Sequence, residues 1–178
     1  KWNVAKARNF HGMFYGAQMF TGIFGTPSGI SSWQTGNIQS APGMFRDARV
    51  FNADISGWDL SGVRCDQNQY VVTAYCPAGS DSWTCTTEAG SMKQFLYYAR
   101  GFNHPLTSLL AYEGNDADAG VCNMESFFYQ NSALDLNAQN WASWNTRQVT
   151  SMKRMLQKMN GSPAGSKFIV IFYENGKS

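Results

Sequence analysis

The sequence predicts an α/β repeat fold, a short solenoid of about five helix-turn-strand units with two inserted loops. Three observations lead to this prediction. Apolar residues recur at the same offsets along the chain, most clearly over the 25 residues from Trp33 to Trp58. Part of each copy has the apolar spacing of a helix, and the next part has the length of a short strand. Because one such unit cannot bury its own apolar face, neighbouring units must stack.

The unit between Trp33 and Trp58 gives the repeat its template, and imperfect copies of it extend over most of the chain. The apolar residues within the template are Ile38, Ala41, Met44, Phe45, Ala48, Phe51 and Ile55. The predicted units lie near residues 2–32, 33–57, 58–108, 109–143 and 144–160. We therefore predict a single repeat domain over residues 1–178.

Each unit is predicted to begin with a short helix. Ile38, Ala41, the Met44-Phe45 pair and Ala48 fall at i, i+3, i+6/7 and i+10, which places them on one helical stripe. The segment Asp54–Leu60 is short and flanked by polar residues, so it suits a strand.

Aromatic and asparagine residues recur at matching places in the predicted units. Asn52 and Asn103 each follow a phenylalanine, and stacking would align them as a partial ladder in the turns. The tryptophans and methionines are interpreted as core. The predicted structural repeat residues are Trp33, Phe45, Phe51, Asn52, Trp58, Phe95, Phe102, Asn103, Phe128, Trp144 and Leu156.

These motifs resemble the BspA-type leucine-rich-repeat surface proteins, in the roughly 25-residue form known as a mycoplasma-type domain of unknown function. The residues that carry the resemblance are Met44 to Asp59, with partial matches at Met13 to Ala17 and Gly101 to Leu106. The resemblance implies a leucine-rich-repeat-like solenoid. It also implies a role in surface attachment or protein interaction, and it provides no catalytic residues to carry over.

Three segments depart from the repeat. Insertions are predicted near residues 64–91 and 110–120, and a strand-like tail covers residues 161–178. Insertions in solenoids form loops on one face and often bind partners. The candidate binding residues in these loops are Tyr70, Tyr75, Trp83, Tyr112, Asp116 and Asp118. A candidate basic face is formed by Arg147, Lys153, Arg154 and Lys158; it is interpreted as a solvated helix face or as a docking surface for an acidic partner.

The composition favours a folded protein outside the cytosol. Hydrophobic residues make up 43% of the chain and charged residues only 15%, compared with the roughly 25% charged residues of average domains. A net charge of +2 is too small to predict nucleic-acid binding. No apolar run approaches the roughly 18 residues of a membrane-spanning helix. The sequence begins at Lys1, which indicates a mature or truncated chain.

The four cysteines lack the spacing of a zinc site. They allow three pairings, and we predict disulfides Cys65–Cys122 and Cys76–Cys85 in an oxidising compartment, with buried free thiols as the alternative.

Catalytic and metal-binding patterns are weak throughout the sequence. His11 and His104 are interpreted as surface or turn residues, and no nucleophile–base motif accompanies them. The loop with Asp116 and Asp118 fails as an EF-hand, because Gly120 and Phe127 stand where ligands are needed. We predict no enzyme activity, no cofactor and no metal.

Two functions remain open from the sequence. The first is a non-catalytic protein-protein interaction or adhesion module, extracellular or at a cell surface. The second is a structural accessory subunit packed onto a larger assembly, such as a membrane assembly or one in an organelle lumen. Both imply protein partners, with no nucleic acid and no transmembrane segment.

Overall fold

The structure, a computed structural model, is built from five stacked layers of tight turns. It describes residues 2–23, 29–63, 70–72, 86–88, 90–106, 121–144, 146 and 148–159. We number the layers along the chain: residues 9–20, 40–51, 91–102, 123–134 and 151–159 form layers 1 to 5. Parallel bridges join the starts of neighbouring layers, for example Asn9 with Ser40 and Asn123 with Ser151.

Regular secondary structure is sparse in the described part of the chain. Two short 3-10 helices cover Gly29–Ser32 and Trp141–Ser143. Strands β1 (Tyr70–Val72) and β2 (Thr86–Glu88) pair antiparallel, with Tyr70 opposite Glu88. Both strands lie in the segment predicted as the first insertion.

The predicted α/β solenoid of helix-turn-strand units, leucine-rich-repeat-like or otherwise, is therefore wrong. No helix of seven or more residues occurs among the described residues, and the repeats there contribute no strands of their own. The predicted strand around Ile55 is another turn, in which the Trp58 N–H donates to the Ile55 carbonyl at 3.0 Å. The apolar spacing was misleading because a turn also brings residues three apart to the same side of the backbone.

Within a layer, every second N–H closes a turn. In layer 2 the N–H groups of Met44, Arg46 and Ala48 donate to the carbonyls three residues before them, at 3.3, 3.1 and 3.1 Å. The intervening N–H groups point to the next layer: those of Gly43 and Phe45 donate to the carbonyls of the residues Lys93 and Phe95 at 2.8 and 3.0 Å. This alternation lets a backbone without helices or long strands satisfy its polar groups, as burial requires.

Left-handed backbone positions enforce the turns. The fourth residue of layer 2, Gly43, has φ of 59°, and Asp47, four residues later, has φ of 57°. Glycine adopts this conformation without strain, and Pro42 before it suits the preceding turn position. The equivalent residues of the later layers are also left-handed although none is glycine; they are Gln94, Tyr98, Ser126, Gln130, Arg154 and Lys158.

The core consists of side chains stacked in register from layer to layer. Phe14 stacks on Phe45 with ring centres 5.6 Å apart. A second row places Phe51 between Phe20 and Phe102, at 6.1 and 5.7 Å. Phe45, Phe51 and Phe102 are completely buried. Such stacked rings contribute interaction energy beyond their buried area.

Polar residues tie the layers together outside the core. Asn52 Oδ1 accepts the Asn103 N–H at 2.9 Å, and Asn103 Oδ1 accepts the Asp135 N–H at 2.8 Å. The buried Trp58 indole donates to the Ile30 carbonyl at 3.0 Å. These contacts fix the register of the turns that follow each layer.

Among the described residues there is no helix with the length and apolar character needed to span a bilayer.

Candidate interaction surface

A row of tyrosines and cations crosses all five layers on the outside of the molecule. Each layer contains a pair of apolar residues, such as Phe127-Phe128, and the row is formed by the one or two residues that follow this pair. Tyr15 is 53% exposed, which is the largest exposure among the tyrosines described. We define the tyrosine–cation row as Tyr15, Arg46, Tyr97, Tyr98, Tyr129 and Lys158.

Arg46 joins the first three layers of the row. Its guanidinium carbon lies 5.2 Å from the centre of the Tyr15 ring and 5.1 Å from that of Tyr97. Its Nη1 donates to Gln94 Oε1 at 2.8 Å. The guanidinium is thus held between two aromatic rings by cation–π contacts.

The second half of the row is aromatic and ends in an ammonium group. Tyr97 and Tyr129 stack with ring centres 4.7 Å apart and planes 6° from parallel. Lys158 Nζ lies 5.6 Å from the Tyr129 ring centre. Beside them, the Arg100 guanidinium lies 5.2 Å from the ring centre of Tyr98. The three tyrosines of this half are therefore packed against one another and are half-buried.

The electrostatics keep these groups as hydrogen-bond donors. Burial raises the pKa of Tyr97, and the neighbouring Tyr98 and Tyr129 raise it further, so its hydroxyl stays protonated at neutral pH. A hydrogen bond with the Tyr129 side chain raises the pKa of Lys158, which stays cationic. The row therefore offers phenol, guanidinium and ammonium donors side by side.

The carboxylates next to the row are engaged in ion pairs. Asp47 Oδ1 lies 2.9 Å from Arg49 Nε, and Glu125 Oε2 lies 3.0 Å from Lys93 Nζ. The surface around the row is consequently dominated by donors and cations. Rings and cations held on a rigid backbone are suited to contacting another protein.

The described residues do not assemble a catalytic or metal-binding constellation. No group of three or more histidine, cysteine, aspartate or glutamate side chains is close enough there to hold a metal ion. His104 Nε2 lies 3.0 Å from the Asn52 carbonyl oxygen, in a turn. His11 is half-buried in layer 1.

Most of the binding loops predicted from the sequence cannot be compared with this surface. Tyr70 begins β1, but its side chain is not described. Tyr75, Trp83, Tyr112, Asp116, Asp118 and Arg147 lie outside the described residues. The same holds for Cys65, Cys76 and Cys85, so the two disulfides remain predictions.

The structure describes three members of the predicted basic face, and all three lie in layer 5. Lys153, Arg154 and Lys158 are exposed in layer 5, on turns rather than on the predicted helix. Lys158 belongs to both the basic face and the tyrosine–cation row. Of the predicted repeat residues, all the phenylalanines and tryptophans are buried, whereas Leu156 is half-buried and both asparagines are exposed.

The sequence analysis missed the tyrosines and Arg46 of the row. Their signal was present in the repeat: Tyr15, Arg46, Tyr97 and Tyr129 each come directly after an apolar pair. Packed helices of consecutive units would lie about 8–10 Å apart, so equivalent residues would be further from one another than in the structure. The layered turns bring them within ring-contact distance.

Comparison with known proteins gives one match. A family model described as "Mycoplasma protein of unknown function, DUF285" matches residues 1–109 and 114–162. No curated protein matches the chain. No solved structure matches it either.

Proposed function

The chain belongs to this family of Mycoplasma proteins of unknown function, and from that premise we propose that it is a non-catalytic protein-protein interaction or adhesion module at a cell surface. The tyrosine–cation row is its contact site. The family match agrees with the mycoplasma-type domain in the resemblance drawn from the sequence, but not with its BspA-type part. The surface-attachment role comes from the resemblance to BspA-type proteins and is part of the proposal.

The observation that carries the proposal is the stack of Tyr97 on Tyr129, flanked by Arg46 and Lys158. Tyrosine and arginine dominate the energetics of protein interfaces, because they bury large areas and also form directed polar contacts. Contacts within the row restrict these side chains before a partner arrives. A restricted contact residue loses less conformational entropy on binding.

Site-specific photo-crosslinking tests the contact site. A benzophenone amino acid replaces Tyr98 in one variant and the exposed Gln34, outside the row, in another. Each variant is incubated with surface proteins of the cells that produce the chain, irradiated, and its adducts are identified by mass spectrometry. We expect a defined protein adduct from position 98 and none from position 34.

A double substitution measures the contribution of the row. Tyr97→Ser with Tyr98→Ser should weaken binding of the crosslinked protein at least about tenfold, since hot-spot truncations cost about 2 kcal/mol or more. The control is Gln34→Ser, which should leave the affinity unchanged. Equal adducts at both positions, or an unaltered affinity in the double variant, would refute the row as the contact site.

Cell-surface location is tested separately. A membrane-impermeant biotin reagent applied to intact cells should label exposed lysines of the chain, such as Lys6 and Lys153. Labelling only after cell lysis would contradict a surface location.

A structural accessory subunit is the second candidate, and exposed apolar residues in and around layer 1 favour it. Trp2, Met13 and Ile23 are each more than a third exposed, and Met19 is 84% exposed. Exposed apolar surface marks permanent contacts as well as binding sites. Size-exclusion chromatography of the isolated chain separates the candidates: a monodisperse monomer supports the interaction module, and aggregation relieved by Met19→Lys supports the subunit.

A further inference from the structure

The outer edge of layer 5 carries backbone donors that have no acceptor among the described residues. In layer 4, four N–H groups donate to layer 5; for example, the Ser126 N–H donates to the Lys153 carbonyl at 2.8 Å. The equivalent N–H groups of layer 5 have no acceptor within the described part of the chain. They belong to Met152, Arg154, Leu156 and Lys158.

Cations flank this open edge. Lys153, Arg154 and Lys158 are exposed, and none of them forms an ion pair with a described carboxylate. Free N–H groups bear partial positive charge, so donors and side chains contribute the same sign of potential. The edge is therefore electropositive and suited to hydrogen-bond acceptors.

We infer that an acidic segment of a protein partner binds along this edge, adopts the same series of turns and forms a sixth layer. Its backbone carbonyls accept the four N–H groups that have no acceptor among the described residues, and its carboxylates pair with the lysines and the arginine. Addition of a peptide segment to an open backbone edge is an established mode of recognition. The inference rests on the proposed function and goes beyond it by naming the partner's chemistry and a second contact surface.

The existing layers predict the register of the segment. Lys93 and Glu125 are the third residues of layers 3 and 4, and their side chains form an ion pair at 3.0 Å. Lys153 is the third residue of layer 5. A carboxylate at the third position of the incoming segment would meet Lys153 in the same way.

A second copy of this chain fits the edge less well. Its complementary surface would be the outer edge of layer 1, where the Met13 carbonyl has no donor among the described residues. Residues 2–23 contain no aspartate or glutamate, whereas Lys6 and Arg8 are exposed there. Head-to-tail stacking would thus bring cations against cations, which is unfavourable.

The test uses synthetic peptides of alternating glutamate and threonine, with alternating lysine and threonine as the matched control. We expect the acidic peptide to bind and the basic peptide not to bind, as measured by fluorescence anisotropy. Hydrogen exchange by NMR should show that bound acidic peptide protects the amides of Met152, Arg154, Leu156 and Lys158.

Charge variants locate the site. Lys153→Gln with Arg154→Gln should weaken peptide binding about fivefold to tenfold, because two exposed ion pairs with the peptide are lost. Glutamine fits the backbone at position 154, since Gln94 has the same left-handed conformation in layer 3. The control, Lys6→Gln with Arg8→Gln, removes the same charge elsewhere and should leave binding unchanged.

Three outcomes would overturn the inference. The four amides of layer 5 are already protected from exchange without peptide, or the control variant loses as much affinity for the peptide as the Lys153→Gln, Arg154→Gln variant. The third outcome is that heparin binds as tightly as the acidic peptide and protects the same amides. The Tyr97→Ser, Tyr98→Ser variant distinguishes the two proposals. If it loses the natural partner but keeps the acidic peptide, the row and the edge are separate sites. Suppose that only the Lys153→Gln, Arg154→Gln variant loses affinity for the peptide and that position 98 gives no crosslinked adduct. The edge inference then stands, and the contact site proposed in the row is refuted.

Discussion

The phenylalanine rows and the tyrosine–cation row have the same layer spacing, but the first are buried in the core and the second lies at the surface. Phe14 and Phe45 stack 5.6 Å apart inside the molecule, and Tyr15 and Arg46, one residue further along, contact at 5.2 Å outside it. The backbone ladder fixes both distances. Interior members exclude water and contribute stability, whereas exterior members remain partly exposed to solvent. One architecture therefore places a buried apolar row and an exposed polar row a single residue position apart; binding by the exposed row is our proposal.

Truncation inside the core should have the largest effect. Phe45→Ala removes a completely buried ring that contacts Phe14, Phe51 and Phe95. We expect the free energy of unfolding to fall by about 3 to 5 kcal/mol, from lost burial and from the cavity left behind. Urea denaturation monitored by circular dichroism measures this change in the free energy of unfolding.

The comparison variant is Tyr97→Ala, which should lower the free energy of unfolding by about 1 kcal/mol, as its half-buried ring loses mainly the stack with Tyr129. Similar losses for Phe45→Ala and Tyr97→Ala would contradict the division between the two rows.

Exchange of residues at one left-handed position should have an intermediate effect. Gly43 and Ser126 are both the fourth residue of their layers, with φ of 59° and 57°. Gly43→Ser should destabilise the protein by about 1 kcal/mol and Ser126→Gly should stabilise it by about 0.5 kcal/mol, because only glycine avoids the steric cost. Thermal unfolding gives the sign. If both substitutions destabilise, side-chain contacts rather than backbone conformation control this position.

Loss of the asparagine ladder should have a smaller effect. Asn52→Ala removes the acceptor of the Asn103 N–H, which is exposed and can bond to water instead. We expect a loss of about 0.5 to 1 kcal/mol. Asn140→Ala serves as the control, because that asparagine makes no side-chain capping bond. An equal loss in both variants would show that the ladder contributes nothing specific.

The smallest expected effect is a pH dependence from His11. Burial lowers its pKa from the ordinary value of 6.5, so the unfolded chain binds the proton more tightly than the folded one. The stability contribution is complete at pH above 6.5 and declines as pH falls toward the folded pKa. Melting temperature should therefore drop on mild acidification, and less so in His11→Asn. An identical pH profile in both proteins would assign the acid sensitivity to other groups.

The sequence predicted burial better than it predicted backbone conformation. Phe45, Phe51 and Trp58 were expected in the core, and all three are buried. The helix expected over the stripe from Ile38 to Ala48 is instead a series of turns. Spacing of three and four residues is shared by helices and successive turns, so periodicity alone could not separate them. Pro42-Gly43, a typical turn pair, was the local signal against the helix.

The candidate site was the least predictable part. Lys153, Arg154 and Lys158 were identified from charge alone, but nothing in the charge pattern indicated an edge of N–H groups beside them that lack acceptors in the described part of the chain. The tyrosines were scattered along the sequence, with Tyr97 and Tyr129 separated by a complete layer spacing. Their pairing depends on which residues of successive layers lie opposite one another. That register is set by backbone hydrogen bonds between residues distant in the chain.

By itself the sequence determined the recurrence of a small unit and the set of residues that avoid water, because burial follows from side-chain chemistry at each position. Only the tertiary structure decided that the unit is a layer of turns. The choice depends on whether every second N–H finds an acceptor in a neighbouring layer, and such acceptors exist only once the layers have assembled.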